Sequence, residues 1–259
     1  MQPTSELYQE LLNKPHRKEV RLAIGENGRL ITKLGNAITF GGTRILTGVS
    51  GADGGYTGQQ LISVTTTGAV FSQDTPMVGC CVSGEITVRM LKPAGEIPRQ
   101  ARIVPYVRLT DGVNYSEWLQ KGVYYIDTRQ VEDRGSPPEY MTIHGYDDML
   151  RTEQDYPSSK LQWPARDIDV VREIADFIGV PIDARTVALM SEGYLVSYPS
   201  DYSCREVLGY IAAMYAGCFV MSDLGELRLI TLYDLPKETS YLVTGNGQPI
   251  TFGGVRIRV

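Results

Sequence analysis

Histidine is nearly missing from this chain: His16 and His144 are the only two in 259 residues, and they lie far apart. Neither belongs to an H-E-x-x-H pattern or sits beside a Ser or Cys nucleophile motif, so the sequence offers no metalloprotease or nucleophile signature. Cysteine is scarce too. Cys80, Cys81, Cys204 and Cys218 form no C-x-x-C pair, and adjacent Cys80 and Cys81 on a strand would point to opposite faces, which supports neither a zinc site nor a disulfide framework. All four thiols are expected to pack as small hydrophobes. No apolar run approaches the ~18 residues of a membrane span, and no basic-then-apolar signal peptide opens the chain, so synthesis in a cytoplasm is expected. Positive charge is not in excess. A net charge of −5 argues against a protein whose task is to grip a phosphate backbone, and sequence-specific nucleic-acid binding is not expected.

Glycine (27), proline (14) and many Thr and Val, set against few helical stretches, point to an α+β, mainly β architecture. The length allows two domains. Thr4 or Ser5 caps a short N-terminal helix over 4–13, with Leu7, Tyr8, Leu11 and Leu12 on one face. Strand-like alternation follows at Glu19–Ile24 and Leu30–Thr32 around an Asn27-Gly28 turn, and again at 38–46. The glycine-rich stretch Gly48–Gly58 lacks the Gly-Lys-Ser/Thr and βαβ context of a phosphate loop and reads as a mobile loop. From Leu30 to Gly145 at least six strands are expected at short spacing, with Ile103, Pro105, Val107 and Leu109 alternating against Arg102, Val104, Tyr106 and Arg108, the signature of a barrel or sandwich.

Tyr146–Thr152 reads as a short helix, and 154–166 as a connector. Asp167 is expected to cap a helix burying Val170, Val171, Ile174, Ala175 and Ile178 and stopped by Gly179. Ser203 and Glu206 form a capping box for a second helix ended by Gly217, and the period then changes to two across a hairpin turning at Asp223-Leu224-Gly225. The expected division is an N-terminal helix over 1–18, a β-barrel-like domain over 19–153, a small α/β domain over 154–236 and a β segment over 237–259. One internal echo bears on the last: Ala37-Ile-Thr-Phe-Gly-Gly-Thr-Arg-Ile45 recurs as Pro249-Ile-Thr-Phe-Gly-Gly-Val-Arg-Ile257, identical at seven of nine positions. Either two β-turn-β stretches coincide, or two related β units flank the α/β part and the chain is the front portion of a longer polypeptide.

Chemistry is thin. Paired carboxylates for glycoside hydrolysis, about 5 to 10 Å apart across a cleft, exist in name only as Asp147/Asp148 and Glu132/Asp133, which read as a helix N-terminus and a solvated turn. Asp147, Asp148, Glu153 and Asp155 show no Ca²⁺-loop order. No catalytic, cofactor or metal residue is assigned. Tyrosine is the abundant functional group: 16 Tyr against five Phe, combining apolar area with a polar tip suited to interfaces. Tyr106, Tyr115, Trp118, Tyr124 and Tyr125 are the candidate interface.

Three segments carry a family likeness. Gly95-Glu-Ile-Pro-Arg-Gln-Ala-Arg-Ile-Val-Pro-Tyr-Val-Arg-Leu, Ser116-Glu-Trp-Leu-Gln-Lys-Gly-Val-Tyr-Tyr-Ile-Asp-Thr-Arg and Met141-Thr-Ile-His-Gly-Tyr-Asp-Asp-Met-Leu resemble bacteriophage and prophage tail-hub or tail-tip proteins. Trp163-Pro-Ala-Arg-Asp-Ile-Asp-Val-Val-Arg-Glu-Ile-Ala and Tyr202-Ser-Cys-Arg-Glu-Val-Leu-Gly-Tyr-Ile-Ala-Ala-Met resemble their α/β part. The likeness implies a virion structural protein of the baseplate hub, made in the host cytoplasm. It would be a homotrimer with two β-barrels per chain, contacting the tail tube and other tip proteins, without cofactor or catalysis. Two other readings remain: a tail-tip cell-wall hydrolase, for which this chain has no room beyond the hub, and a carbohydrate-binding adhesin using Trp118.

Overall fold

The computed structural model describes residues 3–25, 55–72, 75–93, 97–132 and 138–232, together with the backbone of short strand pieces at 28–29, 39–40, 43–44, 46–47, 251–252 and 255–256. The protein is mainly β with a few helices. Its principal sheet is antiparallel and seven-stranded: β1 (Arg17–Ile24), β2 (Leu61–Thr67), β3 (Glu85–Leu91), β4 (Arg102–Thr110), β5 (Leu119–Gln120), β6 (Tyr124–Glu132) and β7 (Tyr140–Tyr146), in spatial order β1-β4-β6-β7-β3-β2 with β5 beside β4. Alternation sets the inner face. Ile103, Pro105, Val107 and Leu109 of β4 are buried, as their period-2 spacing predicts, and Leu22, Val88, Met90 and Ile143 join them at zero exposure. Residues of the two end strands of this order, Val20 of β1 and Val64 of β2, line one cavity, so the sheet curls upon itself.

Between Gly58 and Ile86 the sequence predicts no strand, yet β2 lies there. β2 is an edge strand paired only with β3, and with Ile62 and Ser63 both exposed it shows no clean alternation to betray it. The expected Asn27-Gly28 turn, the strand at Leu30–Thr32 and most of the Gly48–Gly58 loop fall outside the described residues. The two echoing stretches share one backbone pairing: Thr39 opposes Arg44 and Phe40 opposes Thr43, while Thr251 opposes Arg256 and Phe252 opposes Val255.

A second hydrophobic cluster belongs to the α/β part. It gathers α2 (Asp167–Ile178), α3 (Ala184–Leu189), α4 (Cys204–Met214) and the hairpin of β10 (Gly217–Met221) and β11 (Leu227–Thr231); a small pair, β8 (Ala165–Arg166) and β9 (Leu195–Val196), sits beside α2. Val170, Val171, Ile174, Ala175 and Ile178 are buried, and Gly179 ends α2 with φ +80°. Ser203 and Glu206 form the full capping box of α4. Three local expectations are corrected. Asp167 does not cap α2; Arg166 is the N-cap without a side-chain bond, and buried Asp167 instead accepts from Tyr215 Oη at 2.6 Å, tying α2 to the end of α4. The left-handed residue after α4 is Ala216, φ +46°, whereas Gly217 already lies in β10, where a Cβ would meet Ile230 O at 2.5 Å. The turn after β7 is a 3₁₀ helix over Asp148–Glu153, and Tyr146 is still strand.

The two clusters meet where α4 crosses the segment before β3. A Cβ on Gly209 would lie 2.8 Å from Gly79 O, and Gly79, at φ +78°, could carry none without strain. Gly209→Ala, which helix propensity alone counts as a gain of about 1 kcal/mol, is therefore expected to lower stability by about 1–3 kcal/mol. Urea denaturation checks this; a stabilised variant would show that helix and segment separate freely.

Candidate functional site

The outer face of β1, β4 and β5 concentrates the interface candidates. Arg21 lies directly opposite Tyr106, and Glu19 opposite Arg108, across the β1–β4 pair. The Arg21 guanidinium sits 4.9 Å from the ring centres of both Tyr106 and Trp118. That of Arg108 sits 4.4 Å from Tyr115 and 4.5 Å from Trp118, and it pairs with Glu19 at 2.7 Å. Tyr115 is held out by a built loop. Asp111 Oδ1 accepts from Val113 N at 2.9 Å and Asn114 N at 2.7 Å, bonds that bring the Asp111 pKa down to about 2, and Tyr115 bridges back to Thr110. Tyr115 is 48% exposed. Helix α1 (Glu6–Leu12) is anchored to the same region, where Ser5 N donates to Glu117 Oε1 at 2.7 Å.

The other two candidates lie elsewhere. Tyr124 is buried and lines a cavity of about 320 Å³ with Lys18, Lys121, Asp147 and Asp223, its hydroxyl donating to Lys121 O at 3.4 Å. Burial first, then Asp147 and Asp223, push its pKa up to about 12. Tyr125, on the opposite side of β6, lies under the Arg151 guanidinium at 4.6 Å. Structure thus brings Tyr106, Tyr115 and Trp118 together and separates Tyr124 and Tyr125 from them.

Asp147 is the group whose environment the sequence underrated. It caps the 3₁₀ turn, as its place before a short helix suggested, with Oδ1 accepting from Met149 N at 3.0 Å. Its Oδ2 also accepts from Gly84 N at 2.8 Å, which fastens the end of β7 to the start of β3. Burial pushes its pKa up to about 7 against those two bonds. Both oxygens accept from backbone N–H groups, so this carboxyl is a structural tie between β7 and β3. Asp148, also buried, is raised by the same desolvation and partly offset by Arg151, whose Nε lies 3.1 Å away. Among the described residues no group of three or more His, Cys, Asp or Glu is placed to hold a metal ion, and no helix is long and apolar enough to cross a membrane.

No family model matches the chain, and no curated protein matches it in sequence. Several solved structures are similar to it, among them the following three. The 43 kDa tail protein of prophage MuSo2 from Shewanella oneidensis is 13% identical, with 88% of this chain and 59% of that one covered and a TM-score of 0.44. The tail protein from Neisseria meningitidis MC58 is 10% identical, covering 83% and 51% at a TM-score of 0.42. The Francisella PdpA–VgrG complex is 9% identical, covering 82% and 31% at 0.43. The chain spans less than two thirds of each of these proteins, and a likeness of this degree transfers no residue role.

The buried Asp147 fixes a pH dependence. A carboxyl whose folded pKa lies above its unfolded value contributes stability that is fully present below the unfolded value, near 3.8, and is lost as pH rises through about 7. Asp148, also raised, acts in the same direction, whereas Asp111, Glu117, Glu173, Asp183 and Glu206, with lowered pKa values, act oppositely: their contribution is lost as pH falls from unfolded values of 3.8 and 4.5, so they offset the slope only at its acid end. Between pH 4 and 7 the protein is expected to lose roughly 1–3 kcal/mol, and Asp147→Asn to flatten that slope. Denaturant titrations across pH measure it; an unchanged slope in the variant would place the titration elsewhere.

Proposed function

We propose that this chain is a structural component of a phage or prophage tail tip, the baseplate hub, that self-associates as a homotrimer and joins the tail tube to other tip proteins. The segments around β4, β6 and β7 quoted above supply the tail assignment, and the geometry supports a role in assembly. The observation that carries that role is the arginine–aromatic face of Tyr106, Tyr115 and Trp118 with Arg21 and Arg108. Tyr, Trp and Arg are the residues enriched at protein interfaces and dominant at their hot spots. Here they are pre-ordered by cross-strand pairs, so little side-chain freedom remains to be lost on docking. In this reading the curled sheet is one ring-forming barrel and the two Ile-Thr-Phe-Gly-Gly hairpins mark two such units.

The same face weakens the adhesin alternative. Trp118 already has guanidinium carbons 4.9 and 4.5 Å from its ring centre, and a sugar would have to compete with them for the ring. A hydrolase would need a carboxyl free to exchange protons with substrate, and the oxygens of Asp147 are occupied.

Sedimentation velocity at micromolar concentrations is expected to show a trimer. Tyr115→Ala combined with Trp118→Ala should weaken association about tenfold or more while moving the melting temperature by no more than about 2 °C. A chain that stays monomeric at high concentration contradicts self-assembly, and undiminished association in the double variant contradicts this face.

A further inference from the structure

The sequence places Cys80 and Cys218 more than half the chain apart, and the fold puts them side by side. The segment entering β3 runs parallel to β10: Phe219 N donates to Cys80 O at 3.0 Å, and Cys81 bridges Phe219. Cys80 and Cys218 are the preceding residues on each strand and therefore face the same side. Neighbouring strands run about 4.8 Å apart, within the ~4.4–6.8 Å Cα separation that a disulfide spans. Their sulfurs converge on one acceptor: Cys218 Sγ donates to Met77 O at 3.1 Å and Cys80 Sγ to the same oxygen at 3.6 Å. Burial pushes the Cys218 thiol up, and the adjacent Cys80 sulfur pushes the same way.

The other two thiols are set apart. Cys81 turns into the α/β core, where burial holds its pKa up at about 12, and Cys204 donates to Asp155 O at 3.9 Å on the far side of α4's first turn. Cys80 also has an approach from solvent. Cys80, itself 5% exposed, lines together with Cys81 an open groove of about 770 Å³ whose walls include Met77, Val78, Leu150 and Tyr210, each more than 40% exposed; of these two thiols Cys80 is the one whose sulfur shares an acceptor with Cys218.

We propose that Cys80 and Cys218 form a redox-sensitive pair that closes to a disulfide in the presence of a low-molecular-weight disulfide such as oxidised glutathione. The Cys80 thiolate attacks one sulfur of the oxidant, releasing one glutathione thiolate and leaving a mixed disulfide. The Cys218 thiolate then attacks the Cys80 sulfur and releases the second. Two electrons pass to the oxidant, and the two protein protons end on the two glutathione thiols. The bond would staple the β part to the α/β part by a second, covalent link. Its biological setting rests on the tail reading, because a virion leaves the reducing cytoplasm on release; its chemistry does not.

The test uses the full chain, reduced and then incubated natively with oxidised glutathione, alkylated, digested and mapped without reduction. The expected product is one linked peptide pair containing Cys80 and Cys218, with Cys81 and Cys204 alkylated after unfolding. The melting temperature should rise by about 5 °C or more, and dithiothreitol should reverse the rise. Cys218→Ser should instead stop at the glutathione adduct on Cys80. Both cysteines recovered as free thiols, or a different pairing, would overturn the proposal. Such a result leaves the tail assignment standing, and a monomeric chain that still forms the link would sink self-assembly alone.

Discussion

One guanidinium holds the two halves of this protein together. Arg205, in the first turn of α4, donates to Ser83 Oγ at 2.9 Å, Met149 O at 2.9 Å and Thr152 Oγ1 at 3.3 Å, and pairs with Glu153 Oε1 at 2.6 Å. Ser83 lies just before β3, and the other three follow β7, so a single side chain binds the adjacent ends of two paired strands. Only a planar fork of five donors can serve four acceptors spread this way; a lysine ammonium has three. The backbone pairing of Gly79 and Cys80 with β10, and the close approach of Gly79 to Gly209, run alongside it. Asp147 and Asp167 repeat the device from within, each a buried carboxyl joining two segments through its two oxygens.

This arrangement spends the protein's polar chemistry on fixing position. Asp147 and Asp167 are engaged by backbone or hydroxyl donors, Asp148 and Asp183 lie against the guanidinium groups of Arg151 and Arg185, and the cavity beside Asp147 is lined by Lys18, Lys121, Tyr124 and Asp223. What remains available is surface: the arginine–aromatic face of β1, β4 and β5, and the uncharged edge strand β2. A body braced at its seam and decorated with ordered aromatic and guanidinium groups is suited to packing against other bodies, and this is the physical content of the proposed assembly role.

Much of the fold was legible because its signals are local. The capping box at Ser203 and Glu206, the 3.6-residue spacing of Val170 to Ile178 and the alternation of β4 each depend on neighbours in sequence. The failures are equally physical. β2 is an edge strand with weak burial and no alternation, Asp167 was drawn from a cap into a tertiary bond with Tyr215, and Ala216 took the left-handed residue's place because Gly217 was needed where β11 approaches. At the candidate site, tyrosine enrichment named Tyr106 and Tyr115 but not the arginines that order them, and it grouped with them Tyr124 and Tyr125, which lie elsewhere. Arg21 and Arg108 carry no motif, and only the β1–β4 register brings them to Trp118. Nor does spacing reveal that Cys80 meets Cys218, since a parallel pairing across so long a stretch of chain has no signature in sequence.

The central claim is that the outer face of β1, β4 and β5 is where this chain meets other subunits. An electron cryomicroscopy reconstruction of the assembled protein tests it most directly. The account predicts threefold particles in which Tyr115 and Trp118 are buried between neighbouring subunits, with Arg21 and Arg108 still stacked on them. Particles joined through another surface, with Trp118 facing solvent in every subunit, would contradict it.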